Sequence, residues 1–437
     1  MNIRKSAVLL LLLFQAFYLN ARQSEFLLFL QSQPSIQNIK EIEGGDLFEE
    51  SYELRFRQPV DHGDTTAGFF TQRVYVSHLS KEAPVVLITE GYTAAQAARE
   101  NYTSELSSLL EANQIDVEHR YFGESWPADP DWQYLTVANA AADHHRITEL
   151  FKKYYTGKWI HTGISKGGQT AISHRTLYPD DVDVTVAYVG PVNFGVEDGR
   201  HEPFIENVPG TPEERQKVRE MQLEVLKRRE TLFPMFQDLV QTKGYTFRIP
   251  VEEVYDYCVL EYSFILWQFG SGPVDSLDTT APDSVLFNHF FTPSSPDYFS
   301  IEGAESTRSF FVQAAHELGY YGYDTRPFRK YLKIKNARNY LSEIFLPEGM
   351  KIPYKKKAMR EVQHFLNTTA KKMLFIYGVY DPWTATGVCI PDKPNLLKIV
   401  KPGGNHRTRI SNLPEYQKEK VLDTLYEWLG VEIKALQ

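Results

Sequence analysis

Apolar and polar residues alternate over residues 49–78. Tyr52, Leu54 and Phe56 fall two apart, the period of a half-buried strand, and residues 69–76 repeat the pattern after the turn-forming Asp61-His62-Gly63-Asp64. The two runs predict an antiparallel hairpin at a sheet edge. Residues 84–89 (Pro-Val-Val-Leu-Ile-Thr) read differently, as a short continuous apolar run that suits a strand covered on both faces. Beyond it the periodicity predicts a helix over roughly 94–111 and a strand-like piece over 116–121. A helix over 136–155, a strand over 158–163, a helix over 167–178 and a strand over 182–189 follow. This alternation predicts a doubly wound, mostly parallel α/β sheet. Residues 23–50 show no clear period.

The alternation stops near Gly195. A long charged helix is expected over 213–232 and an apolar, aromatic one over 254–269, in surroundings rich in Pro, Asp and Tyr. Buried strands return at 375–377 and 397–400, and an amphipathic helix over 414–429 closes the chain. The predicted organisation is a core in two parts, residues 22–195 and 371–437, with a mostly helical cap inserted over 196–370. At the N-terminus, Arg4 and Lys5 precede an apolar run over 7–13 that continues to Leu19. That arrangement predicts a signal peptide over residues 1–21, hence a secreted or periplasmic protein with no further membrane association. Leu19 is a poor residue three places before the cleavage point, which leaves an uncleaved anchor as the alternative. Gln15 and Asn20 interrupt the run and argue against a span.

Composition narrows the function classes. The 437 residues carry a formal net charge of −9, which argues against a nucleic-acid partner. Aromatic residues make up 14% of the chain, an amount that ordinary packing or an aromatic-walled cleft would explain. Cys258 and Cys389 fit no metal-ligand spacing; they form either one disulfide or two separate thiols. No motif implies a metal or a cofactor.

The chemistry centres on Trp159-Ile160-His161-Thr162-Gly163-Ile164-Ser165-Lys166-Gly167-Gly168. Gly163, Ser165 and Gly167 form G-x-S-x-G between a predicted strand and a predicted helix. In the nucleophile elbow of an α/β-hydrolase, that turn holds the serine oxygen above the sheet, with small neighbours admitting close chain approach. Without that context the pattern would be a glycine-rich turn whose serine merely caps a helix. The base and its orienting acid should follow in the order Asp/Glu, then His. Asp381 comes just after the strand at 375–377, and His406 lies in the glycine-rich loop after the next strand. Asp381 would orient His406, and His406 would take the Ser165 proton. His144 and His145 are expected at the surface and His161 in packing, whereas His119 is a candidate for the cleft. The oxyanion donors are expected to be the N–H of Lys166 and that of Gly91 or Tyr92. Glu90, beside them, would either pair with a neighbour such as Arg120 or hold a cation such as a peptide's α-amine.

Phe56-Arg57-Gln58-Pro59-Val60-Asp61-His62, Glu90-Gly91, Glu118-His119-Arg120-Tyr121-Phe122-Gly123-Glu124-Ser125 and the Gly-Ile-Ser-Lys-Gly-Gly elbow occur in that order. The chain thereby resembles the secreted prolyl tri- and tetrapeptidyl aminopeptidases of bacteria. It is more distantly similar to lysosomal Pro-Xaa carboxypeptidase and dipeptidyl peptidase II. The resemblance covers roughly 50–195 and 370–430, and Lys166 favours the bacterial branch. It implies a serine exopeptidase acting on peptides near proline, with Ser165, Asp381 and His406 as its triad and Glu90 or Glu118 as α-amine anchor. Tyr262 and Trp267, in the aromatic cap helix, are candidates for a proline pocket, as are Tyr320 and Tyr321. A carboxylic-ester hydrolase of the same fold and a non-catalytic binding protein are the alternatives.

Overall fold

The computed structural model describes residues 23–270, 274–276 and 278–434; the predicted signal peptide lies outside them. Nine strands form one sheet: β1 (Ile36–Ile42), β2 (Glu50–Pro59), β3 (Phe69–His78), β4 (Val85–Thr89), β5 (Asn113–Val117), β6 (Trp159–Ile164), β7 (Val184–Tyr188), β8 (Met373–Gly378) and β9 (Leu396–Lys401). Their spatial order is β1-β2-β3-β5-β4-β6-β7-β8-β9. The first three strands pair antiparallel, β3 also runs antiparallel to β5, and all remaining pairs are parallel.

The expected hairpin is β2–β3, but it is not the edge, because β1 pairs outside β2. Neither β1 nor the helix α1 (Glu25–Gln31) before it was legible as a period. The Phe26 and Leu30 side chains of α1 are buried, whereas only Ile36, Ile39 and Ile42 of β1 are even half-covered. The helix expected over 94–111 shortens to α2 (Glu105–Leu110). Ser104 caps it by accepting the Ser107 N–H at 3.1 Å, and Asn101 just before it has a φ of 59°, incompatible with helix.

Helices α3 (Val137–Phe151) and α4 (Lys166–Leu177) cross between parallel strands, and α9 (Glu415–Leu429) closes the chain. In the cap lie α5 (Pro212–Lys227), α6 (Arg229–Lys243) and α7 (Val251–Phe269); α8 (Lys357–Thr368) follows them. The single helix expected over 213–232 is thus two. The alternating side chains of each parallel strand serve two layers. Val86 and Ile88 of β4 pack with Leu425 and Trp428 of α9, while Val85 and Leu87 face Ile147 and Phe151 of α3. Both faces being covered is why β4 reads as a nearly unbroken apolar run.

Between β7 and β8 the described residues contain no strand. A large aromatic cluster, from Tyr121 of the core through Tyr255, Phe290, Phe311 and Tyr340 to Trp383, joins the cap to the strand ends. The last part of the predicted insertion belongs with the core: Met359, Val362, Phe365 and Leu366 of α8 pack against Ile172, Met373 and Phe375. Each such buried side chain contributes roughly 1.5–3 kcal/mol. Cys258 is buried and Cys389 exposed, and both are free thiols.

Candidate active site

Ser165 occupies the turn between β6 and α4 with φ 58° and ψ −121°, a conformation that L-residues avoid at a cost of about 1–3 kcal/mol. The turn is held on both sides. Ser165 N–H donates to the Tyr188 carbonyl of the neighbouring strand at 2.8 Å, and Gln169 N–H donates to the Ser165 carbonyl at 2.9 Å. The elbow glycines are there because backbone fills the space of a side chain. A Cβ on Gly163 would lie 2.2 Å from the Gly167 carbonyl oxygen, and one on Gly167 would lie 2.6 Å from that of Thr89.

Asp381 follows β8 and His406 follows β9, so adjacent parallel strands deliver the two loops side by side. His406 Nδ1 and Asp381 Oδ2 are 2.7 Å apart, and Asp381 is wholly buried. Trp383 N–H donates to the other carboxylate oxygen at 3.2 Å. The backbone N–H of His406 donates to the Gln268 carbonyl at 3.0 Å, so the last turn of α7 holds the histidine loop from above. The Phe269 ring meets the His406 imidazole edge-on at 5.7 Å. Ser165 Oγ makes no hydrogen bond among the described residues. A serine on a strained turn, an imidazole held by a buried carboxylate, and a helix N-terminus behind the serine are the parts that acyl transfer requires.

Ser165 lines a cavity of about 370 Å³ together with Tyr92, Phe269, Tyr298, Phe310, Tyr320, Tyr321 and Trp383. The cleft is aromatic-walled, as the composition allowed, by some of the residues expected and by others. Tyr262 is fully buried and stacks on Phe290 at 4.1 Å, while Trp267 borders a separate, smaller cavity within the cap; neither lines the space above Ser165. Tyr320 and Tyr321 do.

The loop after β4 lies against the elbow: a Cβ on Gly91 would sit 2.6 Å from Lys166 Cβ and 2.7 Å from Gly167 N. Gly91 thus permits the contact that brings Tyr92 to the cavity. The Lys166 side chain is buried under the Tyr92 and Phe122 rings, its Nζ 5.7 and 5.1 Å from their centroids. Its Nζ has no hydrogen-bond partner among the described residues, and burial pushes the amine well below its usual range.

The two acids expected near the α-amine have other surroundings. Glu118 is fully buried and all of its capacity is used: it pairs with Arg73, accepts from Ser125 Oγ at 2.8 Å and Glu124 N at 2.9 Å, and is 3.3 Å from Ala94 N. It holds the turn at Gly123 and does not line the cavity. Glu90 gains no partner in Arg120. Burial, and then the charge of Glu118, push its carboxyl up to about 7. Asp116 beside it has no hydrogen bond to either side-chain oxygen among the described residues, and burial pushes it well above the carboxylate range.

Arg120 instead clasps Asp143 at 2.6 and 2.7 Å and donates to the carbonyls of Val60 and Tyr134 at 2.8 and 3.0 Å. His62 Nε2 meets the same aspartate at 2.7 Å, and Gln58 donates to its carbonyl at 3.0 Å. The conspicuous Gln58, His62 and Arg120 therefore converge on one buried structural clasp. His144 is fully buried rather than at the surface, with neither ring nitrogen bonded among the described residues, and burial pushes it down to about 3. His145 is partly exposed and pairs with Asp181 at 2.9 Å. His161 is packed inside, 3.0 Å from Thr89 Oγ1, and His119 is buried beside the Arg120 carbonyl at 2.8 Å, away from the Ser165 cavity. Among the described residues His145, Glu149 and Asp181 are the one group spaced to hold a metal; none lines that cavity.

The acid that reasoning from the sequence missed is Glu261. It lines the Ser165 cavity while 5% exposed, accepting from Tyr321 Oη at 2.9 Å and Tyr323 Oη at 2.7 Å. Burial pushes its carboxyl up to about 7, against the lowering effect of the two phenols. An acid inside an apolar, aromatic helical run was the available signal.

Strand order, strand direction and the serine elbow define an α/β-hydrolase. The chain belongs to the peptidase S37 family (PS-10 peptidase S37), whose model matches residues 30–437, and it is a serine peptidase. It is 29% identical over 396 residues to the prolyl tri/tetrapeptidyl aminopeptidase of Streptomyces mobaraensis, covering 88% of this chain and 81% of that protein. Among solved structures it is similar to proline iminopeptidase of Mycobacterium smegmatis, at 13% identity and a TM-score of 0.40, over 82% of this chain and 95% of that one. Acetyl xylan esterase 1 of Thermoanaerobacterium sp. is similar at 11% identity and a TM-score of 0.36, over 91% and 89%. No helix among the described residues is long and apolar enough to cross a membrane.

Proposed function

We propose that this protein is an exported aminopeptidase that removes short peptides from a free N-terminus, cleaving after proline, with Ser165, His406 and Asp381 as its catalytic triad. The observation that carries the triad is the 2.7 Å pairing of His406 with the buried Asp381, on loops that follow adjacent strands, over a cavity that Ser165 lines. The named activity of the Streptomyces relative supports the peptide-length and proline preference. Arg4, Lys5 and the apolar run behind them support export.

In this mechanism His406 Nε2 takes the Ser165 proton as Oγ attacks the carbonyl carbon of the scissile bond. Asp381 holds the imidazole in the required tautomer and stabilises its protonated form. The oxyanion receives the N–H of Lys166, which as the first residue of α4 has no intrahelical acceptor. The Tyr92 N–H, with no acceptor among the described residues, is the second donor, and Gly91 serves the close approach. His406 then gives its proton to the leaving amine, and water attacks the acyl-enzyme with His406 as base. The aromatic wall of Phe310, Tyr320 and Trp383 receives the proline ring.

The test is hydrolysis of tripeptide anilides with proline at the cleaved bond, using wild type and Ser165→Ala, with free and acetylated N-termini. Free peptides should be cleaved by wild type alone. Equal rates on free and acetylated peptides would refute the aminopeptidase reading, and full activity in Ser165→Ala would refute the triad.

A further inference from the structure

We infer that Glu261 is the group that receives the α-ammonium of the substrate, and that its position on α7 sets how many residues lie between that amine and the cleaved bond. The inference rests on the aminopeptidase reading above and names the residue that would enforce it.

Four observations carry it. First, Glu261 and Ser165 line the same cavity. Glu261, Ile265, Gln268 and Phe269 recur at the spacing of one helix face, and all four border that space. Second, the carboxylate has no cation beside it among the described residues. Its hydrogen bonds come from two phenols, Tyr321 at 3.1 and 2.9 Å and Tyr323 at 2.7 Å. Those bonds fix the carboxylate's direction, and a carboxylate with about four lone-pair sites retains capacity for an ammonium donor. Third, its walls favour a cation: the Tyr298, Tyr320 and Tyr321 rings and hydroxyls crowd around it, and Tyr298 Oη meets Tyr320 Oη at 2.6 Å. Fourth, α7 is a ruler tied to the catalytic loop. Gln268 accepts the backbone N–H of His406 at 3.0 Å, so the helix ends at the triad. Seven residues of helix rise place Glu261 about 10 Å back along the axis. An extended peptide spans about 10 Å in three residues.

Other acids serve less well. Glu118 is spent on Arg73 and Ser125, and neither it nor Glu90 lines the cavity. Asp297 borders the cavity but is exposed, where water screens its charge.

The experiment compares three tripeptide anilides that differ only at the N-terminus: a free amine, an acetamide and a hydroxyl in place of the amine. kcat/KM is measured for wild type, Glu261→Gln and Asp297→Asn, with melting temperatures to show that each chain is folded. Wild type should favour the amine over the hydroxyl by about 10- to 100-fold, the worth of a charged hydrogen bond. Glu261→Gln should remove that preference, chiefly through KM, while Asp297→Asn should keep it. A Glu261→Gln enzyme that still prefers the amine, or loss of preference in Asp297→Asn alone, would overturn the assignment while leaving the aminopeptidase reading intact. Wild type indifferent to all three N-termini would overturn both.

A second measurement needs no variant. In wild type the ratio of kcat/KM for amine over hydroxyl peptide cancels every ionisation the two substrates share. That ratio should rise as Glu261 ionises around pH 7 and fall again as the peptide amine deprotonates near about pH 8. A ratio flat from pH 5.5 to 9 would overturn the assignment.

Discussion

Replacing Glu261 by Gln should make the protein more stable, and more so as pH rises. The carboxyl is buried among aromatic side chains with two phenolic donors and, among the described residues, no cation, so its ionisation is harder in the folded chain than in the unfolded one. Its folded value is pushed from 4.5 up to about 7. A raised carboxyl holds its proton more tightly in the folded state, so stability is intact below pH 4.5 and is lost as pH rises through about 7. At about 1.4 kcal/mol for each tenfold change in acidity, the raised carboxyl costs about 1 kcal/mol of stability at pH 5 and about 3 kcal/mol at pH 8, relative to a group that never ionises. Gln occupies the same volume and never ionises. With an unfolding entropy near 2.1 cal/mol/K per residue, a chain of this length has roughly 0.9 kcal/mol/K at its midpoint. The melting temperature of Glu261→Gln should therefore exceed that of wild type by about 3 °C at pH 8 and by about 1 °C at pH 5. Differential scanning calorimetry at both pH values reads this directly. Parallel curves for the two proteins, with no divergence toward high pH, would refute the claim that an uncompensated carboxylate sits in this cavity. A stabilising substitution that also weakens binding of amine-bearing peptides would mark a residue kept for function at the expense of stability.

Asp381→Asn should lower kcat by about 10³- to 10⁴-fold on a cleavable anilide with little change in KM, because the amide no longer selects the imidazole tautomer or stabilises its charge. Gly167→Ala drives a Cβ to 2.6 Å from the Thr89 carbonyl oxygen, so fluorophosphonate labelling of Ser165 should be lost or stability reduced by more than about 2 kcal/mol. Arg120→Ala leaves Asp143 buried beside His62 alone and should cost about 3–5 kcal/mol by chemical denaturation at neutral pH. Burial pushes Asp143 up, but Arg120 and then His62 outweigh it and hold the carboxyl below its usual range. That stabilisation is present above the unfolded value and lost as pH falls, so the gap between wild type and Arg120→Ala should narrow below about pH 4.

Much of the core was legible because local chemistry decides it. A strand covered on both faces can be apolar along its length, which is how β4 announced itself, and a serine on a turn that backbone crowds from two sides must have glycine neighbours. Asp381 and His406 stand just past predicted strands, and the structure pairs them at 2.7 Å. What sequence periodicity did not show was β1, with few covered groups, and the break at Asn101 that shortens the helix before β5. It also could not tell which conspicuous charges meet each other. Gln58, His62 and Arg120 stood only as parts of conspicuous motifs, with Arg120 a possible partner of Glu90, and proved to be a clasp around Asp143. Glu118 looked like an anchor and proved to be bound to Arg73. Glu261, hidden in an apolar helix, is the buried acid that lines the cavity of Ser165. Backbone conformation and burial of a strand depend on the residues within it, whereas the partner of a charge depends on chain segments tens or hundreds of residues away, and only their packing brings the one beside the other.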